Sequence, residues 1–335
     1  MRVGRLGAAL VPLLLFRAAL AAPAPAPGLL ILPFENTADD APLAWLATGL
    51  ALHTGEHLKM HGAAVVDDED RAVLLEGNGI PAGASLTLAS ALELGRTMRT
   101  RPAGVRPDRL LLGRFNVQEG QITISARLID LENEQARPWI ERQGRLKDLL
   151  EVHASLSDAI ARDADLPATR NRGKLTEPPL LAFETYCRAM AEADARRRLT
   201  LLRRALQEFP GYPTASYQAA ALLARGEKWD DAAETLRAAT NDAAPYQSEF
   251  HLLDATVALQ RHDAAVAAEA AQKALDVADS ARGHALLGRA RVGLADRAAA
   301  RGELDKAVAI DPSEPEIEEL RKALAQGAPA AGRTP

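Results

Sequence analysis

The chain is poor in cysteine, in aromatic residues and in clustered basic residues, and each shortage narrows what it can be. Cys187 is the only cysteine in 335 residues, so no intramolecular disulfide supports the fold, and we expect it to be a small buried apolar group. No basic block accompanies the net charge of -5, which argues against a nucleic-acid partner. Beyond the N-terminus, no apolar run is long enough to cross a membrane. Aromatic residues make up only 4% while alanine is abundant, and this bias favours closely packed helices.

The N-terminus has the pattern of a secretory signal peptide. Two arginines precede an apolar run over residues 6–16, and Ala19-Leu20-Ala21 supplies a small-x-small cleavage pattern. We therefore expect a signal peptide over residues 1–21 and a periplasmic or secreted bacterial protein, without an integral membrane segment after cleavage. An uncleaved anchor and an ordinary cytoplasmic tail are the alternatives.

Hydrophobic periodicity predicts an α/β domain with a mixed sheet over residues 29–162, in the order β-α-β-α-β-β-β-α. The predicted strands lie at 29–34, 63–66, 109–117, 121–130 and 135–143, and the predicted helices at 41–60, 85–98 and 146–162. The acidic run over residues 67–70 is expected to be a solvated turn. Ala and Pro over residues 22–28 indicate an extended spacer before the domain, and residues 163–178 indicate a linker after it.

A period of 34 residues organises the second half. Pro210 and Pro312 are separated by 102 residues, which is three such periods. The resulting windows are 179–212, 213–246, 248–281 and 281–314. Small residues recur at equivalent positions in the last three windows: Ala220, Ala232 and Ala239; Ala255, Ala267 and Ala274; Gly288, Ala300 and Ala307. The first window fits less well, with Tyr186, Arg198 and Ala205 at these positions.

This pattern resembles the tetratricopeptide repeat, in which paired helices approach closely wherever side chains are small. The resemblance implies an all-α solenoid of about four repeats over residues 179–325, closed by a capping helix over 314–325. A disordered tail is expected over residues 326–335. The alternative is a non-repetitive, alanine-rich helical bundle.

Four short motifs mark the first half. They are Ile31-Leu32-Pro33-Phe34-Glu35-Asn36, Gly49-Leu50, Leu112-Gly113-Arg114 and Arg127-Leu128-Ile129-Asp130. Together they resemble the TolB amino-terminal-like domain, which is related to curli-secretion and flagellar-assembly lipoprotein families, and the resemblance covers residues 29–162. In that family the domain often precedes tetratricopeptide repeats. The resemblance therefore implies an envelope or secreted role in protein–protein assembly, and no catalysis.

One segment matches a metal-binding pattern. His53, Glu56 and His57 fit the His-x-x-Glu-His arrangement of some zinc proteases, and His61 follows at the same spacing. Because these residues share one helical face, a metal-dependent hydrolase is the alternative function. Apolar residues share that stripe, so we interpret the histidines as lining the edge of the core. His53, His57 and His61 are kept only as candidates for adventitious metal binding.

Other catalytic patterns are missing from the sequence. There is no glycine-rich phosphate loop after a strand, no Gly-x-Ser-x-Gly elbow and no Cys–His nucleophile pair. We therefore predict a non-enzymatic protein, with no catalytic residue and no cofactor.

The inner surface of the repeats is the predicted binding site. In such solenoids, the first helix of each repeat lines the concave side. The predicted concave groove consists of Tyr217, Arg225, Glu249, Leu252, Thr256, Arg282 and Arg289. Tyr and Arg favour interfaces because they offer a large contact area with polar ends. The alternative is that the repeats form only a rigid spacer.

The sequence thus predicts a scaffold of the bacterial cell envelope that docks a protein or peptide in the concave groove. A cytoplasmic regulatory subunit of a signalling system is a further alternative. The sequence does not fix the oligomeric state or the identity of the partner.

Overall fold

The computed structural model describes residues 27–38, 40–81, 84–101, 104–166, 177–239 and 247–326, which form a mixed sheet with helices followed by helical hairpins. The predicted signal peptide, most of the spacer, most of the linker and nearly all of the C-terminal tail lie outside these residues. The strands are β1 (Gly28–Ile31), β2 (Glu35–Asn36), β3 (Ala64–Val65), β4 (Arg109–Gln118), β5 (Gln121–Asp130) and β6 (Ile140–Arg145). The helices among and after them are α1 (Trp45–Met60), α2 (Asp68–Gly77), α3 (Leu88–Arg99) and α4 (Leu149–Asp163).

The sheet has the strand order β3-β1-β4-β5-β6, and β2 pairs with β4. β1 runs parallel to β3 and β4, whereas β4, β5 and β6 form an antiparallel meander. Because side chains alternate between the two faces of a strand, β5 directs Ile124 and Leu128 toward α1 and α4. It directs Ile129 toward α2 and α3 on the other face. Helices therefore pack on both faces of the sheet.

Helix α2 is the main departure from the predicted order of elements. The acidic run expected to be a solvated turn instead begins this helix, with Asp67 at the N-cap position and Asp68, Glu69 and Asp70 in the first turn. Carboxylates at a helix N-terminus are stabilised by the unpaired backbone N–H groups and by the helix dipole. The short strand β2 was not predicted either, and the third strand of the meander occupies Ile140–Arg145 instead of residues 135–143.

The second half consists of tetratricopeptide-like helical hairpins, as the period predicts. The pairs are α5 (Leu180–Ala191) with α6 (Ala195–Glu208), α7 (Pro213–Arg225) with α8 (Trp229–Ala238), α9 (Gln247–Gln260) with α10 (Ala264–Val277), and α11 (Ala281–Gly293) with α12 (Arg297–Ile310). Helix α13 (Pro315–Gln326) follows. Each hairpin lies within its predicted window to within one residue, so the 34-residue period corresponds to one helical hairpin.

Small residues at the predicted positions allow the helices to approach. The buried ones are Ala220, Ala232, Ala255, Ala267, Ala274, Gly288, Ala300 and Ala307, whereas Ala239 is half-buried. A Cβ atom added to Gly288 would lie 2.5 Å from Cδ2 of Leu320, so glycine at this position lets α13 pack closely on α11.

The first hairpin shares a hydrophobic core with the sheet. Trp45 of α1 packs edge-on against Phe183 of α5, with 5.9 Å between the ring centroids. A Cβ atom on Gly49 would lie 2.7 Å from Sγ of Cys187, so α1 and α5 are in direct contact. Cys187 is buried in this contact, as predicted. Tyr186 occupies a position where the later repeats have a small residue, because its ring packs into the same core.

Candidate functional site

Tyr217 of α7 is influenced by charged side chains of the next two hairpins. It is half-buried on α7, and burial raises the pKa of its phenol. The carboxylate of Glu249, on α9, raises this pKa further, whereas the guanidinium of Arg282, on α11, lowers it. Charged side chains of two neighbouring first helices therefore act on one phenol. Glu249 and Arg282 are thus near enough to Tyr217 to act on it, whereas the groove that these residues are expected to line stays a prediction.

Helix α2 of the sheet region contacts α7, the helix that carries Tyr217. Arg225, at the C-terminal end of α7, donates a hydrogen bond from Nη2 to Oε2 of Glu69 at 2.7 Å. Asp67 raises the pKa of the Tyr217 phenol and Arg225 lowers it, after the larger effects of burial, Glu249 and Arg282. Sequence reasoning missed this contact because no periodic pattern relates an acidic turn to a repeat so distant along the chain.

Leu252 does not line the groove, contrary to the prediction. Its side chain is only 8% exposed and packs in the core shared by α9, α10 and α11. Thr256, one turn later, is half-buried and donates a hydrogen bond from its hydroxyl to the carbonyl oxygen of Leu252 at 2.8 Å. This part of α9 therefore stabilises the stack of helices and offers little to a partner.

Arg289 holds the last helix in place. Its Nη1 atom lies 2.5 Å from Oε2 of Glu316 on α13, and both side chains are largely buried. The guanidinium therefore binds α13 to α11. Of the residues predicted to line the groove, Tyr217, Arg225, Glu249 and Arg282 remain as candidates.

The His-x-x-Glu-His segment lies in the core beside α4 and α5. His53 and Glu56 are buried, and His57 is largely buried. His153 of α4 joins them, with its ring stacked on that of His53 at a centroid distance of 5.0 Å. His57 packs edge-on against His53 at 4.7 Å. His153 was not predicted, because the fold alone brings it next to α1.

The protonation states in this cluster follow from burial. Loss of solvation lowers the pKa of His53 to about 4 and that of His57 to about 3, and it places the pKa of His153 well below its ordinary value. Burial, and then the nearby Asp68, raise the pKa of Glu56 to about 8, although a hydrogen bond with Thr214 of α7 opposes the shift. At neutral pH these groups are therefore mostly uncharged, as a core requires.

This arrangement does not favour the hydrolase alternative. Among the described residues, no group of three or more His, Cys, Asp or Glu side chains is placed to hold a metal ion. His61 lies apart from the cluster, with Nε2 at 3.6 Å from Oδ1 of Asp158 on α4. The side chains at positions 53 and 56 are enclosed by packed helices, so a substrate has no route to them.

Comparisons with known proteins add little to these observations. No protein family matches the chain, and no curated protein is similar to it. Among solved structures, MamA from Desulfovibrio magneticus RS-1 (residues 41 to the end) is 24% identical over 40% of this chain and 77% of that chain, with a TM-score of 0.36. A MamA RS-1 double mutant is 23% identical over 44% of this chain and 78% of that chain, with a TM-score of 0.35. Such low TM-scores decide neither fold nor function, so the repeat assignment rests on the helical hairpins of this chain.

Within the ranges that the structure describes, no helix is both long enough and apolar enough to cross a bilayer.

Proposed function

We propose that the chain is a non-enzymatic scaffold that docks a peptide or a partner protein in the concave groove of its repeats. The observation that supports the proposal is that Glu249 and Arg282, on the first helices of the next two hairpins, both act on the phenol of Tyr217. A rigid aromatic ring with a polar tip, flanked by charges of both signs, is the kind of surface that concentrates binding energy in protein interfaces.

Site-specific photo-crosslinking in the native cell tests this proposal. A photoreactive amino acid at Ala221, one helical turn after Tyr217, is expected to trap a defined partner. The same amino acid at Arg301, which is exposed on the second helix α12, serves as the control and should not trap it. The adduct should disappear in a Tyr217→Ala background. Equal labelling from both positions, or an adduct indifferent to Tyr217, would argue for a rigid spacer.

We also propose that this scaffold works in the bacterial cell envelope. The signal-peptide pattern of residues 1–21 supports export, and the resemblance of residues 29–162 to the TolB amino-terminal-like domain supports an envelope role. Cell fractionation with N-terminal sequencing tests both ideas, and the mature chain is expected in the periplasm or medium, beginning at Ala22. A chain recovered from the cytoplasm with its first residues intact would favour a cytoplasmic regulatory subunit instead.

A further inference from the structure

Strand β6 (Ile140–Arg145) forms one edge of the sheet. In the strand order β3-β1-β4-β5-β6 it pairs with β5, antiparallel and along its whole length. Among the residues that the structure describes, no strand pairs with its outer side. An edge strand leaves a row of backbone N–H and C=O groups without sheet partners, and such a row is a template on which another strand can pair.

The register of β6 on β5 determines which backbone groups face outward. The backbone N–H of Leu146 donates to the carbonyl oxygen of Gly120 at 2.8 Å, in continuation of that register. Because hydrogen-bonded and non-bonded pairs alternate along an antiparallel ladder, every second residue before Leu146 directs its backbone groups away from β5. In agreement, the carbonyl oxygen of Glu141 accepts a hydrogen bond at 2.7 Å from the guanidinium of Arg142. The residues with outward-facing backbone groups are Glu141, Gln143 and Arg145.

These outward-facing residues are self-complementary about their centre. When two copies of β6 pair antiparallel across a two-fold axis at Gln143, Glu141 of each copy lies opposite Arg145 of the other. Opposite charges facing each other stabilise a cross-strand pair. On the other face of the sheet, Arg142 lies opposite Gly144 of the second copy, and the missing side chain of glycine leaves room for the arginine. Charge and size are therefore both matched in this register.

Other registers and other strands match β6 less well. Charged side chains protect an edge strand from most partners. An axis moved to Glu141 or to Arg145 would place like charges opposite each other, which destabilises the pair. A strand without charges at these spacings would form neither ion pair. The charge pattern of β6 therefore favours a second copy of the same strand.

The two charged side chains are accessible, and contacts within the chain hold them in place. Arg145 is 60% exposed, and its Nε atom donates to Oδ2 of Asp148 at 2.7 Å. Because this bond uses Nε, the terminal N–H groups of the guanidinium can reach a second carboxylate. Glu141 is exposed, and it accepts hydrogen bonds from Ser125 at 3.1 Å and from Gln143 at 3.3 Å. A carboxylate has about four acceptor sites, so these bonds position the group without saturating it.

We infer that β6 is a dimerisation edge, at which two copies of this chain pair antiparallel about Gln143 and form one continuous sheet. The carbonyl oxygen of Glu141 then accepts the backbone N–H of Arg145 of the second copy, in place of the guanidinium of Arg142. The inference goes beyond the proposed function, because it concerns the sheet region and adds a second set of repeats to each assembly.

Disulfide cross-linking of the full-length chain locates the two-fold axis. Gln143→Cys is expected to give a disulfide-linked dimer on mild oxidation, because the two α-carbons on the axis would lie about 5.5 Å apart, within the range of a disulfide. Gln118→Cys, an exposed position at the end of β4, is the matched control and should give no dimer. The natural Cys187 is buried and should not react. Non-reducing electrophoresis measures the product, and equal cross-linking at both positions would overturn the inference.

Exchanging the charges tests the register. Glu141→Arg and Arg145→Glu should each weaken self-association by roughly tenfold, because each change makes both cross-strand pairs like-charged. Mixing the two variants should restore association, since one chain then carries only arginine at these two positions and the other only glutamate. Glu76→Arg, an exposed position on α2, is the control for a change of net charge and should associate like the unmodified chain. Analytical ultracentrifugation over a range of concentrations measures all four samples.

The outcomes separate this inference from the proposed function. If the unmodified chain stays monomeric and Gln143→Cys gives no dimer, the inference is wrong, while the Ala221 crosslink still decides the proposed function. If the chain dimerises but neither charge variant weakens the dimer, the interface lies elsewhere and the inference is equally wrong. Circular dichroism of each variant checks folding, which these exposed positions should not disturb.

Discussion

The sheet region and the repeats bury different kinds of side chain. The sheet is covered by large residues such as Phe34, Leu111 and Phe115, all with almost no exposed surface. The repeats bury mostly alanine where their helices cross, as at Ala232 and Ala267. A core of large residues gains stability from apolar area, whereas a core of alanines depends on short distances between backbones. The two regions should therefore respond in opposite ways to changes of side-chain size.

Removing volume from the sheet core should have the largest effect. Leu111→Ala, at a fully buried position of β4, is expected to lower the free energy of unfolding by about 2–5 kcal/mol, because it removes buried apolar surface and leaves a cavity. Urea unfolding followed by circular dichroism measures the change. The same substitution at Leu181, which is 57% exposed on α5, is the control and should stay within about 0.5 kcal/mol. Similar costs at both positions would contradict the comparison.

Adding volume to the repeats should have the next largest effect. Ala267→Leu, at a fully buried crossing position of α10, is expected to cost about 1–3 kcal/mol because the neighbouring helices must move apart. Val266→Leu, at the adjacent and 42% exposed position, provides a matched control with little expected change. If the larger side chain at position 267 were tolerated as well as that at 266, the close approach of helices would not be what stabilises this hairpin.

The repeats were predictable from the sequence because their constraint recurs. Each hairpin requires a small side chain where its helices cross. The sequence therefore shows a small residue at the equivalent position of successive repeats, as at Ala220, Ala255 and Gly288. The sheet region offers no such repetition. Its main strands followed from apolar runs, but α2 was hidden because an acidic run suits both a solvated turn and the first turn of a helix.

The contact between the two regions provides a third test, through pH. Burial holds the pKa of Glu56 at about 8 in the folded chain, compared with 4.5 when solvated. Between pH 6.5 and 8 the unfolded chain has lost this proton while the folded chain keeps it, so stability falls as pH rises. Glu56→Gln should remove that decline and gain up to about 2 kcal/mol at pH 8 relative to pH 6.5. Urea unfolding at several pH values measures it.

The buried histidines predict a second loss of stability, at acidic pH. His53 and His57 stay neutral in the fold down to about pH 4 and about pH 3, whereas in the unfolded chain they gain protons below about 6.5. Stability should therefore fall as pH decreases below 6.5, in Glu56→Gln as in the unmodified chain. Glu76→Gln, an exposed position on α2, should keep the original profile on both sides. A Glu56→Gln chain that still loses stability from pH 6.5 to 8 would show that Glu56 is not the buried acid responsible.

Much less of the candidate site than of the fold could be predicted. Repeat positions predict which residues of a first helix face inward, and among them Glu249 and Arg282 are near enough to Tyr217 to act on its phenol. They do not reveal that Leu252 is covered by neighbouring helices or that Arg289 is taken by Glu316, because both depend on how far successive hairpins are rotated. Contacts between distant segments, such as Glu69 with Arg225 and His153 with His53, leave no local pattern in a single sequence.

The smallest expected effect is the loss of the ion pair between the sheet region and the repeats. The contact of α1 with α5 is apolar and closely packed, whereas that of α2 with α7 includes an exposed ion pair. Glu69→Gln should therefore change the free energy of unfolding by less than about 1 kcal/mol, and its coupling to Arg225→Gln in a double-mutant cycle should be equally small and decrease with added salt. A coupling well above about 1 kcal/mol would mean instead that Glu69 anchors α2 to α7, and that this contact is as important for stability as the apolar one.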